Sequence, residues 1–252
     1  MNNMFIILFT TFVVLSAQTT GQIKEQLNNA GFAPDQAKQI ATQASEELDW
    51  ANLDKYREDN LKIKNSKQSR GRIVFIGDSI TEEWCTSNPE FFKKNNFINR
   101  GIGGQTTPQM LIRFKPDTVH LSPKMIIINA GTNDIAGNTG PSTPEMVIDN
   151  ICSMAEIAIK NNIDVALSSI LPVYKYPWND QIVDPPETIS LINSTLAEYC
   201  KKNSLIYIDY YSSMADDKKG LKPAYGHDGV HPTKEGYGAI EKIVKDTVPG
   251  TV

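Results

Sequence analysis

Five residues of this chain are of types that could together transfer an acyl group: Ser79, His231, Asp228, Asn133 and Gly104. A serine hydroxyl becomes a nucleophile when an imidazole takes its proton. A carboxylate on the other ring nitrogen fixes the tautomer that can do so, and Asp228, three residues before His231, can turn back to reach it. The charge that develops on an attacked carbonyl needs donors, which the N–H groups of Ser79 and Gly104 and the side-chain amide of Asn133 can supply. His227 and His231 also have metal-like spacing. With His231 assigned as the base, no metal set and no cofactor is expected.

These residues must be positioned by the elements before them. Ile73-Val74-Phe75-Ile76 is an unbroken apolar run, read as a strand buried on both faces, and Gly77-Asp78-Ser79 ends it. Asn96–Arg100 is a second short strand, ending in Gly101-Ile102-Gly103-Gly104. Met125–Ala130 is a third, ending in Gly131-Thr132-Asn133-Asp134. Strands at Val165–Leu171 and Leu205–Ile208 follow. Helical spacing marks Thr106–Phe114 (broken at Pro116), Pro144–Ile159, Thr188–Tyr199 and Thr233–Thr247. Alternation of this kind predicts an α/β fold, three layers around a five-stranded parallel sheet in the flavodoxin-like order 2-1-3-4-5. Such a sheet sets its carboxyl ends along one edge, and His227–Pro232 can reach that edge ahead of the last helix.

Each cluster also has a plain structural reading. Ser79 could only cap a helix. Gly101–Gly104 could be a tight turn; it is not a dinucleotide fingerprint, because the third glycine would fall at Thr106. Gly131–Asp134 could be an Asx-type turn, and His231 a structural histidine. Four such clusters on one sheet edge favour a site. No G-x-S-x-G elbow surrounds Ser79, which disfavours the α/β-hydrolase architecture.

With 25 basic and 29 acidic side chains, the net charge is −4, and no basic stripe suggests nucleic acid. Cys85, Cys152 and Cys200 are far apart, so three buried thiols are expected, a single bridge being the alternative. The apolar run Met4–Leu15, followed by Ser16-Ala17, is shorter than the roughly 20 residues of a membrane span and suits a signal peptide over residues 1–17. No cysteine follows it, so no stable membrane anchor is expected, and the chain is placed outside the cell or in a periplasm. Residues 18–70 predict a helical extension: one helix through Ile23, Leu27 and Ala30, another from Pro34 toward Leu48, helical spacing at Trp50, Leu53 and Tyr56, and a lysine-rich linker over Lys62–Arg72. Its apolar positions are expected to pack on the main domain, a small binding module being the alternative.

The four blocks Gly77-Asp78-Ser79-Ile80, the glycine run ending at Gly104, Gly131-Thr132-Asn133-Asp134 and Asp228-x-x-His231 resemble, in order, those of the SGNH (GDSL-like) hydrolases. The resemblance spans residues 72 to about 247, within a domain taken as 71–250. It implies a metal-free serine esterase in which Ser79, Gly104, Asn133 and His231 match the name-giving positions and Asp228 completes a triad. Gln105 stands where many members carry Asp, a change expected to alter local hydrogen bonding rather than activity. The glycine pieces look most like the platelet-activating-factor acetylhydrolase and carbohydrate acetylesterase branch.

The segment Leu171–Asp180 should overhang the same edge. Asp78, Asp134, Tyr176 and Trp178 are candidate substrate contacts, with Trp178 and Tyr174 or Tyr176 as a platform for a sugar ring. The expected partner is a small-molecule or polysaccharide acyl ester, foremost an O-acetylated carbohydrate. A lysophospholipase or thioesterase on the same scaffold, or an inactive glycan-binding module, is the alternative. Nothing in the sequence addresses oligomeric state.

Overall fold

The computed structural model describes residues 20–66 and 71–252, so the expected leader lies outside the described residues. The chain divides into two compact units, one ending at Lys55 and one running from Tyr56 to Val252. In the first, helices α1 (Thr20–Asn29) and α2 (Pro34–Leu48) are joined through Gly31, whose φ of +89° ends α1 without the penalty a side chain would carry. Trp50 and Leu53, expected to continue helically, lie in turns and are exposed. The Asp49 carboxylate accepts from the Leu53 and Asp54 N–H groups and so competes with helical bonding.

The second unit begins before the expected boundary at residue 71. Helix α3 (Arg57–Asn65) runs into the first residues of the linker expected over Lys62–Arg72, and its polar residues bond to the sheet domain. Asn60 is buried, accepting from Arg100 Nε and donating to Asp117, while Asp59 pairs with the Arg100 guanidinium at 2.7 Å.

Five parallel strands follow in the order β2-β1-β3-β4-β5: β1 (Ile73–Gly77), β2 (Phe97–Gly101), β3 (Met125–Asn129), β4 (Asp164–Ser168) and β5 (Ile206–Ile208). This is the expected order. The two-residue period of the strands splits their side chains between two cores. Val74, Ile76, Ile126, Ile128, Val165 and Leu167 pack with α6 (Thr107–Asp117), α8 (Pro144–Lys160) and α9 (Pro185–Asn203). Ile73, Phe75, Met125, Ile127 and Ala166 pack with α4 (Ser79–Ser87), α5 (Pro89–Lys94), α10 (Tyr210–Met214) and α11 (Lys234–Thr247). The short helix α7 (Thr132–Ile135) follows β3 directly. Residues facing both cores explain why β1 and β3 read as unbroken apolar runs.

Two elements differ from the sequence reading. Helix α6 continues through Pro116, because in the last turn the missing N–H removes a single bond, and Thr118 closes the end on the Phe114 carbonyl. Strand β4 stops at Ser168 rather than Leu171: the Asn193 side chain takes both the N–H and the carbonyl of Ile170, so the ladder loses that residue. All three thiols are free, with Cys200 buried and Cys85 and Cys152 half-buried. Among the described residues, no helix is long and apolar enough to cross a membrane.

Candidate active site

The strand ends are in register: Gly77 pairs with both Gly101 and Asn129. Three polar clusters therefore emerge side by side. A Cβ on Gly101 would lie 2.1 Å from the Glu82 nitrogen, so glycine lets the end of β2 pass against α4. Buried Arg113 ties these ends together, donating to the carbonyls of Gly77 and Arg100, to the Gln105 side chain and to Asp117.

Ser79 is the first residue of α4. Asp78 caps that helix by accepting from the Ile80 N–H at 3.0 Å. The fourth cluster is delivered by α11, whose Tyr237 hydroxyl donates to the Ile80 carbonyl of α4 at 2.9 Å and whose Glu241 accepts from Trp84 and Asn88. Ahead of α11 the chain forms a closed loop in which Gly226 bridges Pro232 and the His227 N–H donates to the His231 carbonyl.

Within this loop, Asp228 Oδ1 accepts from the N–H groups of Val230 and His231, and Oδ2 lies 2.7 Å from His231 Nδ1. Burial opposes ionisation of Asp228. Hydrogen bonds from the His231 N–H, the imidazole and the Val230 N–H outweigh it and hold the carboxyl down at about 2. An ionised acceptor at Nδ1 keeps the proton there, so Nε2 presents its lone pair. Ser79 Oγ lies 3.0 Å from that nitrogen, although the two residues are 152 apart in sequence. The arrangement can draw a proton from the serine hydroxyl as the oxygen attacks a carbonyl.

The glycine loop stands beside this pair, since a Cβ on Gly103 would fall 3.8 Å from that of Ser79. Gly104 has φ +75°, a backbone state that disfavours a side chain. Asn133 donates from Nδ2 to the Gln105 carbonyl at 3.0 Å. Sequence reasoning missed Asn138. Its Nδ2 donates to the Gly104 carbonyl at 3.2 Å and to Asn133 Oδ1 at 2.9 Å, and its Oδ1 accepts from Trp178 Nε1 at 3.2 Å. No local signal marks this residue, because every partner but Asn133 is distant in sequence.

Three of the four expected substrate contacts are otherwise engaged. Asp78 is buried beneath α4. Buried Asp134 accepts from the N–H and hydroxyl of Thr107, capping α6. Tyr176 is also buried, its hydroxyl 3.0 Å from Thr132 Oγ1. Trp178 alone of the four is exposed. A tight turn over Tyr176–Asn179, with Pro177 at its second position, carries it, and Asn179 anchors the turn to the Ala136 carbonyl. The Trp178 ring centroid is 5.4 Å from that of Tyr176 and 6.1 Å from that of His231.

Burial pushes the Asp78 carboxyl up to about 7. A carboxyl whose folded value lies above its unfolded value near 4 loses stability as pH rises between the two. Asp78→Asn keeps the acceptor for the Ile80 N–H and removes the charge. The fall in melting temperature between about pH 5 and about pH 8 is expected to be smaller in the variant than in the wild type. Equal falls in the two proteins would mean that Asp78 does not titrate in this range.

Residues 75–239 match the model of the GDSL-like lipase/acylhydrolase family. The chain belongs to that family, a class of ester hydrolases. Among solved structures, it is 45% identical to a candidate acylhydrolase from Bacteroides fragilis, with a TM-score of 0.76 and coverage of 78% of this chain and 95% of that one. It is 43% identical to a GDSL-like lipase from Bacteroides thetaiotaomicron, with a TM-score of 0.76 and coverage of 78% and 97%. Among curated proteins, lipoprotein YqeF of Bacillus subtilis (strain 168) is 32% identical over 81 residues, 31% of this chain. The match spans 33%, about a third, of that relative's length.

Proposed function

We propose that this protein is an exported serine esterase that removes short acyl groups, foremost O-acetyl, from carbohydrate. The observation that carries the reading is the continuous chain from Ser79 Oγ through His231 to the Asp228 carboxylate, at 3.0 and 2.7 Å. Ser79 attacks the acyl carbonyl while His231 Nε2 takes its proton. The oxyanion forms among the N–H groups of Ser79 and Gly104 and the Asn133 amide, of whose two hydrogens one is committed to the Gln105 carbonyl. His231 gives its proton to the departing sugar oxygen, which leaves as a hydroxyl, and water then repeats the sequence on the acyl-enzyme. Asn138, bonded to both Gly104 and Asn133, holds the two donors in one arrangement. Export is supported by the apolar run Met4–Leu15 and by the likeness to a lipoprotein.

The carbohydrate reading rests on Trp178, a half-exposed ring next to His231 and backed by Tyr176. A flat aromatic face with a polar edge suits the C–H faces and hydroxyl rim of a sugar. Trp178→Ala is expected to lower turnover of acetylated oligosaccharide about tenfold or more, the loss of about 1.4 kcal/mol of binding, while p-nitrophenyl acetate turnover is largely kept. Trp178→Phe, which retains a ring, should recover much of the loss. If Ala impairs both substrates equally, Trp178 serves the catalytic geometry through Asn138 instead. Wild-type protein that turns over octanoyl faster than acetyl esters would favour a lipid substrate.

A further inference from the structure

His227 takes no part in this mechanism, yet it stands at the site. Its ring is exposed and stacked on that of His231, with centroids 5.8 Å apart and planes inclined by 21°. Its Nε2 lies 4.0 Å from Asp228 Oδ2, the oxygen that also faces His231 Nδ1 at 2.7 Å. One donor atom from each of the three residues lies within 4.8 Å of the other two. Two imidazoles and a carboxylate form a donor set that zinc accepts, with water in the fourth position. Tetrahedral ligation at about 2.0–2.1 Å places donor atoms roughly 3.3 Å apart. An exposed His227 ring that swings by about an ångström closes the remaining gap.

We propose that His227, Asp228 and His231 form a binding site for a divalent transition-metal ion, zinc foremost, and that occupation switches the hydrolase off. Ligation uses the lone pair of His231 Nδ1, so the proton carried there moves to Nε2, leaving the neutral ring's proton count unchanged. Nε2–H then faces Ser79 and can no longer accept its proton. Asp228 is drawn from the imidazole to the ion. Magnesium and calcium, which prefer oxygen ligands, should have no such effect. The inhibition, though not the binding, rests on His231 being the base.

Full-length Ser79→Ala titrated with zinc chloride by calorimetry should bind one ion. The same protein carrying His227→Ala should bind it at least about tenfold more weakly. In the otherwise wild-type enzyme, zinc should abolish p-nitrophenyl acetate hydrolysis, EDTA should restore it, and magnesium should leave it unchanged. His227→Ala should keep the basal rate and need about tenfold more zinc for half-inhibition. Equal zinc sensitivity in wild type and His227→Ala, or no binding to Ser79→Ala, would overturn the site. Zinc that binds through His227 without slowing hydrolysis would overturn the switch, whereas the assignment of His231 as base stands or falls separately, on the loss of basal hydrolysis in His231→Ala.

Discussion

Ser79→Ala is expected to lower kcat for p-nitrophenyl acetate by at least about four orders of magnitude, with the fold unchanged. The expectation follows from the 3.0 Å contact between Ser79 Oγ and His231 Nε2, because alanine leaves the imidazole no side-chain hydroxyl to activate. The α4 cap does not depend on the hydroxyl; it is made by Asp78 to the Ile80 N–H. Alanine also preserves the backbone N–H proposed as an oxyanion donor. Melting temperature and circular dichroism should therefore match the wild type. Activity above about a tenth of wild type would sink the assignment of Ser79 as nucleophile.

A loss of about 10⁴ in kcat is expected for Asp228→Asn, for a different reason. Two backbone N–H groups, of Val230 and His231, donate to Oδ1. An asparagine placed here must keep its carbonyl oxygen on that side, so its NH₂ faces His231 Nδ1. A donor at Nδ1 makes that nitrogen the acceptor and moves the ring proton to Nε2, where it blocks proton transfer from Ser79. The carboxylate that prevents this in the wild type, held down at about 2, stays ionised above roughly pH 4. Its contribution to stability is fully present above its unfolded value near 4 and is lost as pH falls toward 2. The variant should therefore lack that acid-side loss of stability as well as the activity. Asp228→Asn within tenfold of wild-type kcat would show that the tautomer is set by something else.

The two substitutions differ in how far they could be foreseen. The reach of Asp228 to His231 is local: three residues, a glycine with φ +86° at position 229, and two backbone bonds to the carboxylate. The sheet was equally legible. β1 and β3 lie between two cores, and the uninterrupted apolar runs Ile73–Ile76 and Met125–Ile128 follow from that; buried Asn129 closes β3 by donating to Ser168 Oγ. Parallel pairing in register then obliged the clusters after those strands to lie side by side.

The amino-acid sequence by itself determined the strand–helix alternation, the residue types at the strand ends and the short-range turn that pairs Asp228 with His231. Tertiary structure alone decided which polar side chains face solvent. Of the polar residues in these two blocks only Ser79 stays half-exposed; Asn133 is buried with Asp78 and Asp134, and the two carboxyls are spent as helix caps, because each helix N-terminus must satisfy its orphan N–H groups at the sheet edge. It also decided that Tyr176 is buried against Trp178 while Trp178 stays exposed, and that α3 belongs with the sheet through Asp59 and Asn60. The meeting of Ser79 with His231 depends on the docking of α4 against α11 through Trp84, Tyr237 and Glu241. Asn138 joins Gly104, Asn133 and Trp178 from three segments of chain. Contacts between segments so far apart depend on how whole elements pack, and residue spacing carries no record of that packing.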